Sequence, residues 1–221
     1  MSADLSAWCL VLPVKRLSVA KTRLATLAGP LRGDLALAFA LDTAQAALSC
    51  RLVRGLVVVT DEPVAADALS ALGAHVVADE PDAGLNSALL HGAAAAAAEH
   101  PDVGVGALSA DLPALRPAEL GLALSRAAGP RPCFLRDAEG SGTTLLVAPR
   151  LEGFDPAFGP RSAARHAATG ARELDPAGLD SVRRDVDTAA DLADAGRLGL
   201  GPRTGAVVAR LPRPPHGPAD G

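Results

Sequence analysis

Residues 8–14 read Trp8-Cys9-Leu10-Val11-Leu12-Pro13-Val14, an apolar run of strand length that stops at Lys15. The next such run is GLVVVT, residues 55–60. Between them, residues 31–49 carry Leu35, Phe39, Asp42 and Ala46 at helical spacing. A strand, a helix and a second strand at this separation make a βαβ unit, and that connection implies a parallel pair.

The alternation continues outward from this unit, which assigns the chain to the α/β class with an open, mostly parallel sheet. Residues 74–78 (AHVVA) suit a short third strand, residues 84–99 an alanine-rich helix, and residues 103–109 (VGVGALS) a buried fourth strand. Further on, the pattern predicts a helix over 119–128, two strands over 131–136 and 143–148 joined by a Gly-rich turn, and a short helix over 162–169. Residues 182–185 read as a weak strand entering a last helix that starts near Thr188. From Gly199 the sequence is dense in Gly and Pro without sustained periodicity, so residues 199–221 are expected to be a largely disordered tail after one domain spanning 5–198.

Composition removes several classes of function. The 221 residues are 49% hydrophobic, ample for a core, yet no window approaches the roughly 18 apolar residues of a spanning helix. Nothing before Trp8 is basic, so a secretory signal is not expected, and the expected compartment is the cytosol. Cys9, Cys50 and Cys133 form no CxxC pair and leave an odd count, which points to buried thiols rather than disulfides or a zinc site. A net charge of −4, four Phe, one Trp and no Tyr offer neither the basic field nor the stacking surface of a nucleic-acid binder. A small-molecule function remains.

The basic residues are unevenly distributed. Of 21 Lys and Arg, only Lys15 and Lys21 are lysine, and both lie in LPVKRLSVAKTRL, residues 12–24, directly after the first strand. Where Arg is used everywhere else, two clustered ammonium groups suggest a site shaped for an anion, because the two cations are not interchangeable there. With Arg23 and the hydroxyls of Ser18 and Thr22, this loop could cradle a triphosphate. It lacks the glycines of a P-loop or a GxGxxG turn.

In an open parallel sheet, ligands bind beyond the carboxyl ends of the strands. Three further segments are expected there. Asp111 emerges from an apolar strand in SADLPAL, residues 109–115, where it suits Mg²⁺ held by one or two carboxylates plus phosphates, or a turn before Pro113. Asp185 and Asp187 bracket one residue in RDVDT; both could face a metal, or one could cap the helix that follows. The pair SGTT (141–144) and FGPRSAARH (158–166) offers hydroxyls and small residues, with Gly159 and Ser162 opening a helix whose free N–H groups would favour an anion and Arg161, Arg165 and His166 adding charge. The alternative there is a tight turn followed by a helix with solvated arginines.

In this order, LPVKRLSVAKTRL, DEPDAGLNSALLHG (79–92), SADLPAL, GSGTTLL (140–146), FGPRSAARH and DVDTAADL (185–192) resemble the guanylyltransferases of coenzyme F-420 biosynthesis. The resemblance runs from about residue 8 to 195. It implies a three-layer, Rossmann-like nucleotidyltransferase fold of the GT-A type, and a reaction that joins GMP from GTP to a phosphorylated three-carbon acid with release of pyrophosphate. It further implies that Thr144, Gly159 and Ser162 contact the phospho-acid. Asp111 and one of Asp185 and Asp187 would hold Mg²⁺, Lys15, Lys21 and Arg23 the GTP phosphates, and Gly84 and Asn86 the nucleoside. Asn86 also suits a plain helix start. The Arg- and Ala-rich bias resembles proteins of high-GC actinobacteria, in which that family is associated with phosphoenolpyruvate; 2-phospho-L-lactate and 3-phosphoglycerate are the alternative acceptors.

Two other readings compete. One is a related nucleotidyltransferase of the molybdopterin type, against which the missing glycine-rich first loop counts. The other is a non-catalytic nucleotide-binding subunit of the same fold, against which Asp111, Asp185 and Asp187 count. A reactive product would make hand-off to the next transferase plausible, and monomer or weak dimer is the expected state.

Overall fold

The apolar run that opens the chain is strand β1 (Trp8–Pro13), buried on both faces, with Trp8, Leu10 and Leu12 in one core cluster and Cys9 and Val11 in another. The computed structural model describes residues 7–17, 21–80 and 82–212. Around β1 lie β2 (Val53–Val59), β3 (His75–Val77), β4 (Gly104–Leu108), β5 (Cys133–Arg136), β6 (Thr143–Ala148) and β7 (Arg172–Glu173). They form one sheet in the order β3-β2-β1-β4-β6-β5-β7. β1 pairs in parallel with β2 and β4, as does β5 with β7, while β6 runs antiparallel to both β4 and β5. The reversal follows from the short 137–142 connection, which is too short for a crossover. The Asp137 carboxylate closes that turn by accepting from the N–H groups of Ser141 (3.0 Å) and Gly142 (2.7 Å).

Helices cover both faces, giving three layers. Helices α2 (Arg32–Leu48), α3 (Pro63–Ala71), α5 (Pro117–Ala127) and α7 (Asp180–Arg183) share a core with Leu10, Leu12, Val58 and Val147. On the other face α4 (Leu85–Glu99) and α6 (Ser162–Ala168) bury Ala88, Leu89, Ala93 and Ala163 with Val11, Val57 and Leu146. Gly92 lets α4 lie close to β1, since a Cβ there would sit 2.5 Å from Val11 Cγ1. A third cluster joins Leu24, Leu35, Phe39, Val186 and Leu192, linking α2 to the short α1 (Ala25–Ala28), α8 (Ala189–Leu198) and α9 (Pro202–Val208). All three cysteines are free and buried, as their count and spacing suggest. No helix among the described residues is long and apolar enough to cross a membrane.

Two expectations change, and one open interval is filled. Residues 182–185 are not a strand: Leu179 and Val182 are buried at helical spacing around α7, and the Ser181 N–H donates to Glu119 Oε2 of α5 at 2.8 Å. So short an apolar run fits either period. The stretch after Gly199 carries a helix, because Asp42, buried on α2, accepts from the N–H groups of Arg203 (3.2 Å) and Thr204 (2.7 Å) and so caps α9. Residues 213–221 lie outside the described residues. Finally α3, begun by Pro63, fills the interval between β2 and β3 where the sequence pattern was silent.

Candidate active site

The carboxyl ends of β2, β1 and β4 lie side by side, so the loops that follow them share one end of the sheet. The loop after β1 is steered by Glu62, whose Oε2 accepts from the Leu17 N–H at 3.0 Å. The loop after β4 is held from α2 by Thr43, whose buried hydroxyl accepts from the Leu112 N–H at 3.1 Å. The Asp111 carbonyl in turn accepts from the Val186 N–H at 3.0 Å, which brings the 185–188 segment against that loop. These bonds place Lys15, Lys21, Arg23, Asp111 and Asp187 on the wall of one cavity of about 360 Å³.

At its centre Lys21 Nζ donates to Asp111 Oδ2 and, at 2.8 Å, to Asp187 Oδ1. The Lys21 side chain is only 12% exposed. Burial opposes its charge, yet Asp111 and then Asp187 outweigh it and hold the ammonium above the usual lysine range. Lys21 also has φ 53, the left-handed region that side chains with a Cβ rarely occupy, so the backbone is strained where the ammonium turns inward. For Asp187, burial pulls the carboxyl upward, but Lys21, Arg23 and Lys15 prevail and hold it low. Asp185 differs: burial, then the nearby Asp111, Asp137 and Asp187 charges, push it up to about 8.

An oxygen-only donor set suits a hard divalent cation. Among the described residues, no three His, Cys, Asp or Glu side chains come together closely enough to hold one unaided. Asp111 and Asp187 share a cation already, the Lys21 ammonium, so these two carboxylates fit a metal completed by ligand phosphates. The helix cap expected of Asp185 or Asp187 belongs instead to Thr188, whose Oγ1 accepts from the Asp191 N–H while Asp191 Oδ2 accepts from the Thr188 N–H. The Ser18 hydroxyl lies outside the described residues, as does the Thr22 side chain.

Thr144 is fully buried on β6, and its Oγ1 has no partner among the described residues. Gly159 has φ 118, a backbone conformation that side chains with a Cβ rarely adopt, so the turn favours glycine. Ser162 is buried at the start of α6. The free N–H groups expected at this point are already used: Ser162 donates to the Gly159 carbonyl (3.1 Å) and Ala163 to the Ser141 carbonyl (3.2 Å). Nor does His166 add charge. It is fully buried, and burial, with Arg165 beside it, lowers its pKa to about 4. Gly84 takes φ 93 at the start of α4, and the Asn86 amide is spent on the backbone of Phe158.

A model of the family described as guanylyl transferase CofC like matches residues 8–200. The chain belongs to that family. A phosphoenolpyruvate guanylyltransferase of Thermomonospora curvata is 64% identical over 205 residues, covering 93% of this chain and 90% of the relative. Among solved structures, a nucleotidyl transferase from Methanothermobacter thermautotrophicus superposes with a TM-score of 0.59 at 22% identity, covering 87% of this chain and 97% of the other. Rv0371c of Mycobacterium tuberculosis H37Rv, solved in complex with manganese, gives 0.52 at 22% identity, with 86% and 97% covered. At these identities the likeness is one of fold: the chain shares the three-layer arrangement of these structures.

Several residues at this end of the sheet carry little signal in the sequence. A second cavity of about 260 Å³ adjoins the first at Pro13, Val14, Lys15 and Leu85, and is lined also by Asp61, Asp79 and Gly84. Asp79 Oδ1 is buried there with no partner among the described residues, and burial, then Asp61 and Asp82, raise that carboxyl. Glu62, Thr43 and Asp137 were equally invisible, since each acts on a backbone group of a loop rather than within a motif. The only available signal was a polar residue amid apolar ones, as with Thr43 in α2.

Proposed function

We propose that the chain transfers GMP from GTP to phosphoenolpyruvate, releasing pyrophosphate and leaving a phosphoanhydride between the two phosphates. The observation that carries this reading is the convergence of three cations with Asp111 and Asp187 in one cavity at the strand ends. Such a site suits a triphosphate, and the 64% identical relative carries the name of this activity. An oxygen of the acceptor phosphate attacks the α-phosphorus in line while the bond to the pyrophosphate oxygen breaks. That phosphate is anionic near neutral pH, so no side chain need act as base. Lys15, Lys21 and Arg23 bind and neutralise the triphosphate, so that the protein contributes positioning and electrostatics.

Asp111 and Asp187 would hold Mg²⁺, which supplies charge neutralisation at the phosphates when bound. Asp185, beside them, is pushed up to about 8 by burial and then the Asp111 charge, so near neutral pH it is mostly protonated and leaves the cation to the other two. The second cavity receives the base, where the Asp79 carboxylate suits the N–H donors of guanine. Thr144, Gly159 and Ser162 would frame the acceptor, as the family resemblance implies, the buried Thr144 hydroxyl having no other partner among the described residues. The assignment is tested by pyrophosphate release from GTP and Mg²⁺ with phosphoenolpyruvate, 2-phospho-L-lactate and 3-phosphoglycerate offered separately. Release with phosphoenolpyruvate alone is expected; silence with all three while GTP binds would reduce the chain to a nucleotide-binding subunit.

A further inference from the structure

The turn that carries Phe158 into the cavity is gripped from two sides. From α4, the Asn86 amide reaches across the site: its Oδ1 accepts from the Phe158 N–H at 2.8 Å and its Nδ2 donates to the Phe158 carbonyl at 3.2 Å. From α6, His166 Nε2 accepts from the Ala157 N–H at 2.9 Å. Because Nε2 is an acceptor, the neutral ring carries its proton on Nδ1, which lies 2.9 Å from Thr143 Oγ1 and donates to it. The same imidazole meets the Phe158 ring edge to face, with centroids 5.0 Å apart. Three backbone polar groups of Ala157 and Phe158 are thus held by two side chains that come from elements outside the turn.

From this juxtaposition we infer that Asn86 and His166 are positioning residues for the acceptor half of the site, fixing the Ala157–Phe158 turn on which Gly159 and Ser162 depend. The inference rests on the acceptor assignment above. Asn86 then serves the turn rather than the nucleoside to which the family resemblance assigns it, since each end of its amide is oriented by a bond to Phe158. Its backbone follows Gly84 and Leu85, which line the second cavity, so it ties the acceptor turn to the helix that borders the nucleotide. Thr143 joins the set through His166 and sits next to Thr144 on β6. A slack turn would leave the acceptor phosphate misplaced relative to the α-phosphorus, and a displacement of about 1 Å is enough to cost on the order of 100-fold in rate.

The test separates the two halves of the site. For Asn86→Ala, the KM for phosphoenolpyruvate is expected to rise at least about tenfold. Affinity for the α,β-methylene analogue of GTP, read by calorimetry, should stay within about twofold. Weakened binding of the analogue, whether or not the acceptor KM moves, would return Asn86 to the nucleoside, and no change in either quantity would dismiss the clamp. His166→Leu risks the fold, so His166→Gln is compared, since its amide can both accept from Ala157 and donate to Thr143. The clamp requires the Gln variant to keep an acceptor KM closer to that of the unsubstituted chain than the Leu variant does; equal losses in two folded variants would contradict it. Should the unsubstituted chain release no pyrophosphate with phosphoenolpyruvate, the acceptor reading fails by itself. Amide exchange then decides the clamp: Ala157 and Phe158 should exchange faster in Asn86→Ala while β1 is unchanged, and equal rates would overturn it.

Discussion

Lys21 sits between two carboxylates with most of its side chain out of water, so each member of the trio depends on the others for its charge. Asp111 is the least exposed of the two acids, at 24% against 55% for Asp187. Replacing it by Asn keeps size and shape and leaves the main-chain bond from Val186 untouched. Turnover of Asp111→Asn is therefore expected to fall by about 100-fold or more with near-ultraviolet circular dichroism unchanged, in line with the loss of one electrostatic stabiliser. Near-normal pyrophosphate release would take Asp111 out of the reaction. His166 yields a second expectation. Its folded pKa of about 4 lies below the ordinary 6.5, so the unfolded chain binds an extra proton between those values and stability falls as pH drops through that window. A pH series of melting temperatures should show this loss, and His166→Gln should flatten it. An identical slope in both proteins would assign the acid sensitivity to other groups.

At the scale of elements, the docking of α9 depends on one buried acid. Asp42→Ala removes the acceptor for two backbone N–H groups at the start of that helix, and about 1–3 kcal/mol of stability should go with it, read from denaturant midpoints. An unchanged midpoint would mean that packing of Val207 alone holds the helix. The sequence reading already placed Asp42 on the helical face shared by Leu35 and Phe39. What it lacked was the partner, since Thr204 lies 162 positions away. The same limit explains the other differences. Strands β1, β2 and β4 were legible because each is a run of apolar residues whose meaning is local, and the lysine loop and Asp111 followed from being placed after them. Residues 182–185 were misread because four residues carry no decisive period. His166 was expected to add charge to an anion pocket because nothing local reveals that Thr143, Ala157 and Phe158 surround it. Asp79 stood unremarked in DEPDAGLNSAL because a buried, unpaired oxygen is a property of the folded surface alone.

Across the whole molecule, the reversed strand β6 decides which ends meet. Running against β4, it begins where β1, β2 and β4 finish, so Thr143 and Thr144 at its start join the loops that leave the parallel strands. On the proposed reading, the triphosphate is held at strand endings and the acceptor at a strand beginning. The two meet without any single loop having to span both. Lys21 adds a consequence of its own. With an ammonium already shared by Asp111 and Asp187, the folded chain supplies its own counter-ion at the place a divalent cation would enter. Exhaustive chelation is accordingly expected to abolish pyrophosphate release while moving the thermal midpoint by less than about 2 °C, under 1 kcal/mol for a chain of this size. A larger fall would make the ion part of the folded structure. With the small shift expected, the protein would keep its fold through purification and storage without metal, the ion entering only together with the nucleotide.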